Sequence, residues 1–439
     1  MDRKIRFIVV GTANRGLFTF ARRLLNRQGR GRPEFPQRAE VVALVDNNLT
    51  RARAAAAELD RQDIPAFTTV EEALRQTAAD WAIVTTPDST HADIVIACLR
   101  GGLDVLVDKP LATSVWECDR ILEAMRQTKR RVVVGHNYRY YSNALQAARL
   151  VRSGALGDIV SVDAAEMLSY SHGGDYFHRW HSDFSKSAGL MNHKGCHFID
   201  LINWILNDAP VEVSAMGGRR FYKPRPDLPH GERCLDCGIT ATCPHFFDLR
   251  KWEGILERIY LAPESDDGYR RDLCVFSDRH TICDHEVLNI RYARGVLASF
   301  TLITFAPKEY MYMNFTGTAG RLELGSDPGS GGQYLRHYHS NGKVENFDFK
   351  TGGGEHGHDA ADTLLVADIL GMEGSDPIQR ATPEEARQAV LVADMAARSI
   401  AAGGRPVCAE ETGRDFPPPP PLVANDGMGE RKSKQNGDK

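Results

Sequence analysis

Apolar residues arrive along the first third of the chain in short uninterrupted runs, each followed by a polar turn and a stretch with helical spacing. Ile5–Val10 is the first run, Gly11-Thr12-Ala13-Asn14-Arg15-Gly16 the turn after it, and residues 17–25 the helical stretch. Further runs at 41–45, 81–85, 104–108 and 131–134 read as strands. Between them, helices are predicted over about 50–59, from a capping box at Thr69-Val70-Glu71-Glu72, over 91–99, and after Ser114-Val115-Trp116-Glu117. Strands that are apolar on both faces and alternate with helices require right-handed crossovers and a parallel sheet covered on both sides.

After Gly135 the pattern changes to alternation. Residues 160–166, 287–291, 296–304, 311–316 and 321–324 read as strands of a mostly antiparallel sheet. A late helix is capped by Thr382, with Pro383 at its first position and Glu385 three residues after the cap, and runs to about 401. The expected fold class is α/β: a doubly wound parallel sheet over 1–137, then an α+β domain over 138–408 with a large, open, mostly antiparallel sheet. A Cys-rich insertion falls near 230–285, and the Pro-rich end at 409–439 reads as disordered.

Composition narrows the function classes. A length of 439 residues exceeds one core, and 42% hydrophobic with 26% charged residues is ordinary for a soluble globular chain. A formal net charge of -4 argues against a nucleic-acid or membrane partner. The apolar run near the N-terminus is too short for a signal peptide, and no run approaches the ~18 residues of a spanning helix, so a cytoplasmic protein is expected. Nine cysteines, an odd number, suit a reducing compartment.

The candidate chemistry sits where strands end, since ligands of open parallel sheets bind beyond the carboxyl ends of the strands. Gly11, Asp46, Thr85 and Lys109 all occupy such ends. The turn from Gly11 to Gly16 matches a dinucleotide fingerprint at its first and third glycines, with Ala13 in place of the second. Asp46 can accept hydrogen bonds from two ribose hydroxyls and repels a 2′-phosphate, which selects NAD over NADP. Lys109, between Asp108 and Pro110, is the candidate acid/base amine. His193 and His197 share one helical face at i, i+4 spacing. Tyr176, His178, Arg179, Trp180 and His181 form an aromatic and basic segment suited to lining a sugar site, and Asn137, near the domain boundary, is a further substrate candidate. Cys234, Cys237 and Cys243, with Cys274 first and His245 second as the fourth ligand, are candidates for a structural zinc. The run Gly352 to Asp359 reads as a loop or mobile lip.

Together, the turn at 11–16, Thr85-Thr86-Pro87 with His91, the triplet Asp108-Lys109-Pro110 and the segment Gly195-Cys196-His197-Phe198-Ile199-Asp200 resemble the glucose-fructose oxidoreductase and inositol dehydrogenase (Gfo/Idh/MocA) family. The resemblance implies an N-terminal Rossmann domain and a C-terminal open sheet whose outer face often forms a homo-oligomer contact. It implies a cis peptide before Pro110, and a Lys109 beside the nicotinamide and the substrate hydroxyl. It also gathers Gly11, Thr12, Ala13, Asn14, Arg15, Gly16, Asp46, Thr85, Thr86, Pro87, His91, Asp108 and Lys109 around the cofactor. The family places an Asp four residues before its His; this chain has His193 there. The expected activity is NAD-dependent oxidation of a CH–OH group of a sugar, inositol or sugar-derived polyol, with Lys109 and His197 in proton transfer and His193 positioning substrate. Two alternatives stay open: oxidation-assisted cleavage of a glycoside with tightly bound NAD, and a non-catalytic dinucleotide or sugar sensor.

Overall fold

Strand β1, Ile5–Val10, is buried along Phe7 to Val10 on both faces, which is possible only in a sheet covered by helices on each side. The computed structural model, which describes residues 3–251, 253–326, 332–349 and 358–413, places β1 in such a sheet. Its partners are β2 (Ala39–Val45), β3 (Ala66–Phe67), β4 (Trp81–Val84), β5 (Asp104–Asp108) and β6 (Val132–Gly135). All pairs are parallel, in the order β3-β2-β1-β4-β5-β6. The order reverses between β1 and β4, which opens a crevice at their C-terminal ends.

Local sequence explains most helix starts. Thr69 and Ser114 accept the backbone N–H of Glu72 and Glu117, as read from sequence. The two glutamates, however, turn to Thr68 and Thr113, one residue earlier than a capping box requires. The full box forms at Thr382 and Glu385, at the head of the helix Pro383–Ala401.

The second sheet is mixed and mostly antiparallel. It contains β7 (Ile159–Ser169), β8 (Pro210–Gly218), β9 (His285–Tyr292), β10 (Leu297–Ala306), β11 (Tyr310–Gly317), β12 (Gly320–Ser326), β13 (Gln333–His339), β14 (Val344–Phe347) and β15 (Val407–Cys408). The order is β14-β13-β12-β11-β7-β10-β9-β8-β15, with β7 and β10 parallel. In β10 buried residues alternate with half-exposed ones, so a single face packs on the helices Cys196–Leu206 and Pro383–Ala401. The outer face leaves Met216, Val287 and Leu297 exposed.

Between β8 and β9 lies a long insertion with few regular elements. Asp284 anchors its start by accepting the backbone N–H groups of Arg220, Phe221 and Tyr222. Farther on, Asn48 Nδ2 donates to the Pro263 carbonyl at 2.8 Å, so the insertion rests on the helix Leu49–Glu58 of the first sheet. Residues 409–413, expected to begin the disordered end, include the short turn Ala409–Glu411. The rest of that end and all but the last two residues of the glycine-rich run lie outside the described residues.

Candidate active site

One cavity of about 890 Å³ runs along the crevice and between the two sheets' domains, within the size range of small-molecule sites. Its first half is built by the turn after β1. Gly11 has φ +87°, and a Cβ there would meet the Thr85 carbonyl group at 2.9 Å, so only glycine serves. A Cβ on Gly16 would meet the Gly11 carbonyl oxygen at 1.8 Å, and the helix Asn14–Ala21 can therefore start directly against the turn. Ala13 at the N-cap offers no side-chain acceptor, which leaves the first N–H groups of that helix to bind an anion. These features fit a dinucleotide pyrophosphate.

Two carboxylates nearby are already engaged. Asp46 Oδ2 accepts from Thr12 N and Oγ1, and Oδ1 accepts from Asn48 N and Arg51 Nη1, filling the roughly four lone-pair sites of the group. It does not present two free oxygens to a ribose: a hydroxyl must displace one donor, and the Thr12 hydroxyl is the one free to rotate. Asp108 grips Arg15 with both oxygens, at 2.8 and 3.1 Å, and Arg15 reaches on to Asp362. Burial alone would raise the Asp108 carboxyl, but Arg15 outweighs it and holds the group below its usual range.

The second half is built around Lys109, at the end of β5, after which the Lys109–Pro110 peptide is cis. Lys109 Nζ donates to the His193 carbonyl at 2.6 Å and lies 3.4 Å from His193 Nε2. On the other side of the ring, His193 Nδ1 lies 2.7 Å from Asp88 Oδ2. Burial, then the positive charges of Lys109, Arg179 and Lys194, hold the His193 imidazole neutral. Burial also lowers the Lys109 amine, with Lys194 adding to it, although Cys196, Asp108 and Asp88 pull the other way. Burial raises the Asp88 carboxyl well above its usual range, with Asp108 adding to it and Lys109 pulling the other way. The arrangement is a chain from a buried carboxyl group through a neutral imidazole to a depressed amine.

Around it, Lys194 is buried and pairs with Glu166 at 2.9 Å while donating to the Tyr138 hydroxyl at 2.9 Å. Despite burial, these partners raise its pKa well above the usual lysine value, fixing it as a cation. His197 stacks on Tyr138 with centroids 4.0 Å apart. Trp180 stacks on His181 at 3.7 Å, and His181 meets the His193 ring edge-on at 4.1 Å.

The first sheet and its crevice match the family model described as oxidoreductase family, NAD-binding Rossmann fold, over residues 5–136. Residues 148–409 match the companion model, oxidoreductase family, C-terminal alpha/beta domain. The chain belongs to the Gfo/Idh/MocA oxidoreductase family. It is 28% identical over 428 residues to YteT of Bacillus subtilis, named an oxidoreductase, covering 90% of this chain and 95% of that one. It is 33% identical over 193 residues to inositol 2-dehydrogenase 2 of Saccharopolyspora erythraea, covering 43% of this chain and 53% of that protein. Its fold is similar to that of the WlbA dehydrogenase of Bordetella pertussis, solved with NADH and UDP-GlcNAcA, with TM-score 0.61, 18% identity, and coverage of 92% and 99%.

Within this Gfo/Idh/MocA frame, Gly11, Ala13, Asn14, Arg15, Asp46, Thr85, Thr86, Pro87, His91, Asp108 and Lys109 line the cavity, as do Asn137, Tyr176, Arg179, Trp180, His181, His193 and His197. Thr12 and Gly16 are buried and are not among its lining residues. His91 spans two loops, its ring nitrogens 2.8 and 2.9 Å from the Pro110 and Thr86 carbonyls.

One expectation is corrected, and a second gains no support. His178 does not line this cavity; its Nδ1 lies 2.6 Å from the Leu273 carbonyl, and it borders a separate space of about 20 Å³. That small space is where Cys234, Cys237, Cys243, Cys274 and His245 gather, but no three of their ligand atoms all lie within 4.8 Å of one another. Tetrahedral thiolates at the usual bond length sit ~3.8 Å apart. Among the described residues, the group of three or more ligand atoms within 4.8 Å of one another is His337, His339 and Glu345, far along the second sheet on β13 and β14.

Sequence reasoning missed Asp88, Lys194, Glu166 and Asp362. Asp88 directly follows Thr85-Thr86-Pro87 and was within reach of the strand-end rule. Asp362, on the helix His358–Ile369, is 347 positions from Arg15, and no spacing could connect them.

Proposed function

We propose that the chain is an NAD-dependent dehydrogenase of a CH–OH group on a sugar, inositol or sugar-derived polyol. The observation that carries the reading is the chain Asp88–His193–Lys109 at the carboxyl ends of β4 and β5, in a cavity continuous with the glycine turn. A bound nicotinamide supplies the hydride acceptor. The turn at Gly11, the Asn14 helix start, Asp46 and Thr85 would hold that cofactor, and the lowered Lys109 amine takes the hydroxyl proton as the carbinol carbon is oxidised. His193, held neutral, keeps one nitrogen toward Lys109 and helps to position the amine, while Asp88 orients its ring. His197, fixed by Tyr138, and the fixed cation Lys194 position hydroxyls beside the reacting carbon, and Trp180 and His181 supply a flat wall for a ring. The exposed Met216, Val287 and Leu297 support self-association through the outer face of the second sheet.

The relatives named inositol 2-dehydrogenase support this substrate class. The test incubates the enzyme and NAD with inositols, aldoses and polyols deuterated at their carbinol carbons. Label appearing in the reduced nicotinamide identifies the substrate and supports the reading; bound NAD with no label transfer across the panel contradicts it and points to a sensor.

A second reading, oxidation-assisted cleavage of a glycoside with retained NAD, draws on one observation. The insertion rests on the helix Leu49–Glu58, beside the cofactor half of the cavity, which favours slow cofactor exchange. Glycoside cleavage without release of reduced cofactor would select it.

A further inference from the structure

The insertion also delivers a charged group to the cofactor half of the cavity. Arg51, on the helix Leu49–Glu58, is 5% exposed and lies between two carboxylates. Its Nη1 donates to Asp46 Oδ1 at 3.0 Å, its Nη2 to Asp267 Oδ2 at 2.8 Å, and its Nε to the Ile259 carbonyl at 3.2 Å. Asp46 belongs to the first domain, immediately after β2, whereas Asp267 comes from the insertion between β8 and β9. The Asp267 carboxylate is itself fixed, because its Oδ1 accepts the Tyr269 N–H at 3.0 Å. Two more contacts pin the segment to the same stretch: Asn48 to Pro263, and Arg258 to Glu58 at 2.6 Å. Asp46, Arg51, Asp267 and Tyr269 all line the large cavity. The end of β2 is three strand positions, ~14 Å, from the end of β5 that carries Lys109.

We propose that Asp267 is a specificity-determining residue which, with Asp46, confines the cofactor to one with a free ribose 2′-hydroxyl. The inference rests on the dinucleotide reading above and assigns a cofactor-selecting role to the second domain. In dinucleotide sites generally, an arginine near the ribose accommodates a 2′-phosphate. Arg51 stands where such an arginine could act, but Asp267 holds it and shares its charge. The three side chains together carry one net negative charge. A ribose hydroxyl can donate to a carboxylate in that setting; a phosphate of nearly two negative charges meets two carboxylates and a cation already committed to both.

Removing the Asp267 charge should free Arg51 Nη2 for a phosphate oxygen without touching the glycine turn or Lys109. The test measures equilibrium binding of NADH and NADPH to the full chain by nicotinamide fluorescence, so no substrate is needed. Wild type is expected to bind NADH at least about tenfold more tightly than NADPH, since each close charge contact of this kind is worth about one such factor. Asp267→Asn, which keeps the volume and the acceptor for Tyr269 N–H, is expected to tighten NADPH about tenfold while NADH stays within about threefold. Asp267→Glu should keep the wild-type preference. If Asp267→Asn does not fold, Asp267→Ser, which retains an acceptor but no charge, gives the same comparison. An unchanged ratio in a variant that melts like wild type overturns the role of Asp267 and leaves the dinucleotide reading standing. A wild type that prefers NADPH overturns the role as well. A wild type that binds neither dinucleotide overturns the reading on which it rests.

Discussion

Asp88 Oδ2 lies 2.7 Å from His193 Nδ1, and the far nitrogen of the same ring lies 3.4 Å from Lys109 Nζ. A carboxyl group from the end of β4 thus reaches, through a histidine of the second domain, the amine at the end of β5. Where the family pattern has an acid four residues before His197, this chain has an imidazole, and the acid arrives from the other domain.

Asp88→Asn tests whether the carboxylate sets the ring. An amide can donate to His193 Nδ1 and so place the proton on Nε2, facing Lys109, which is the wrong tautomer for accepting from it. Turnover should fall about 10²-fold or more, the scale of a lost acid–base contribution, while NADH binding changes little. Because Asp88 also helps to raise the Lys109 amine, the pH at which kcat/KM rises should move down in the variant. Steady-state pH profiles with the substrate found by label transfer check both.

His193→Asp restores the residue type of the family pattern but sets a second carboxylate beside buried Asp88. Like charges in a buried site disfavour both ionised forms, so Tm should drop by roughly 5 °C. Adding Asp88→Asn should recover most of that loss, because it removes the repulsion. Thermal melts of the two variants against wild type measure the coupling.

The Lys194–Glu166 pair is buried at 2.9 Å. Glu166→Gln leaves a buried ammonium without its counter-charge, and breaking such a pair costs about 3–5 kcal/mol. Chemical denaturation at neutral pH should show this loss. Lys194→Met together with Glu166→Gln should cost less than Glu166→Gln alone.

Glu286 gives a pH signature separate from the site. Burial pushes its carboxyl up to about 7, so the native state holds a proton that the unfolded state releases at lower pH. As pH rises from about 4.5 to about 7, stability is therefore lost rather than gained at this position. Glu286→Gln should raise Tm at pH ~8 by roughly 3 °C and change it little at pH ~5. Calorimetry at the two pH values makes the comparison.

The first sheet was legible because its strands are continuous apolar runs closed by glycine, aspartate or proline, which no helix of that length imitates. In the second sheet β7, β9, β10, β11 and β12 were read, but β8, β13, β14 and β15 were not. Gln-Tyr-Leu-Arg-His-Tyr-His and Val-Glu-Asn-Phe alternate weakly, since these strands sit at a partly exposed edge. The site was half legible for the same kind of reason. Lys109, His193 and His197 fall in motifs, and spacing places them. Asp46 was expected to accept from both ribose hydroxyls, yet it already accepts from Arg51, five residues on, which Asp267 of the insertion holds from the other side. Contacts that depend on how two domains dock leave no period in the chain.

The central claim is that Lys109 takes the hydroxyl proton during hydride transfer to a nicotinamide. It is tested most directly by single-turnover reduction of NAD by the identified substrate, with wild type and Lys109→Met compared over a pH series. The account predicts that the wild-type rate rises with pH along a limb below the usual lysine value, because the Lys109 amine is lowered. It predicts that Lys109→Met loses about 10³-fold in rate and loses the limb, with NADH affinity kept within a few-fold. A Lys109→Met protein that reduces NAD at near wild-type rate with the same pH limb would contradict the account.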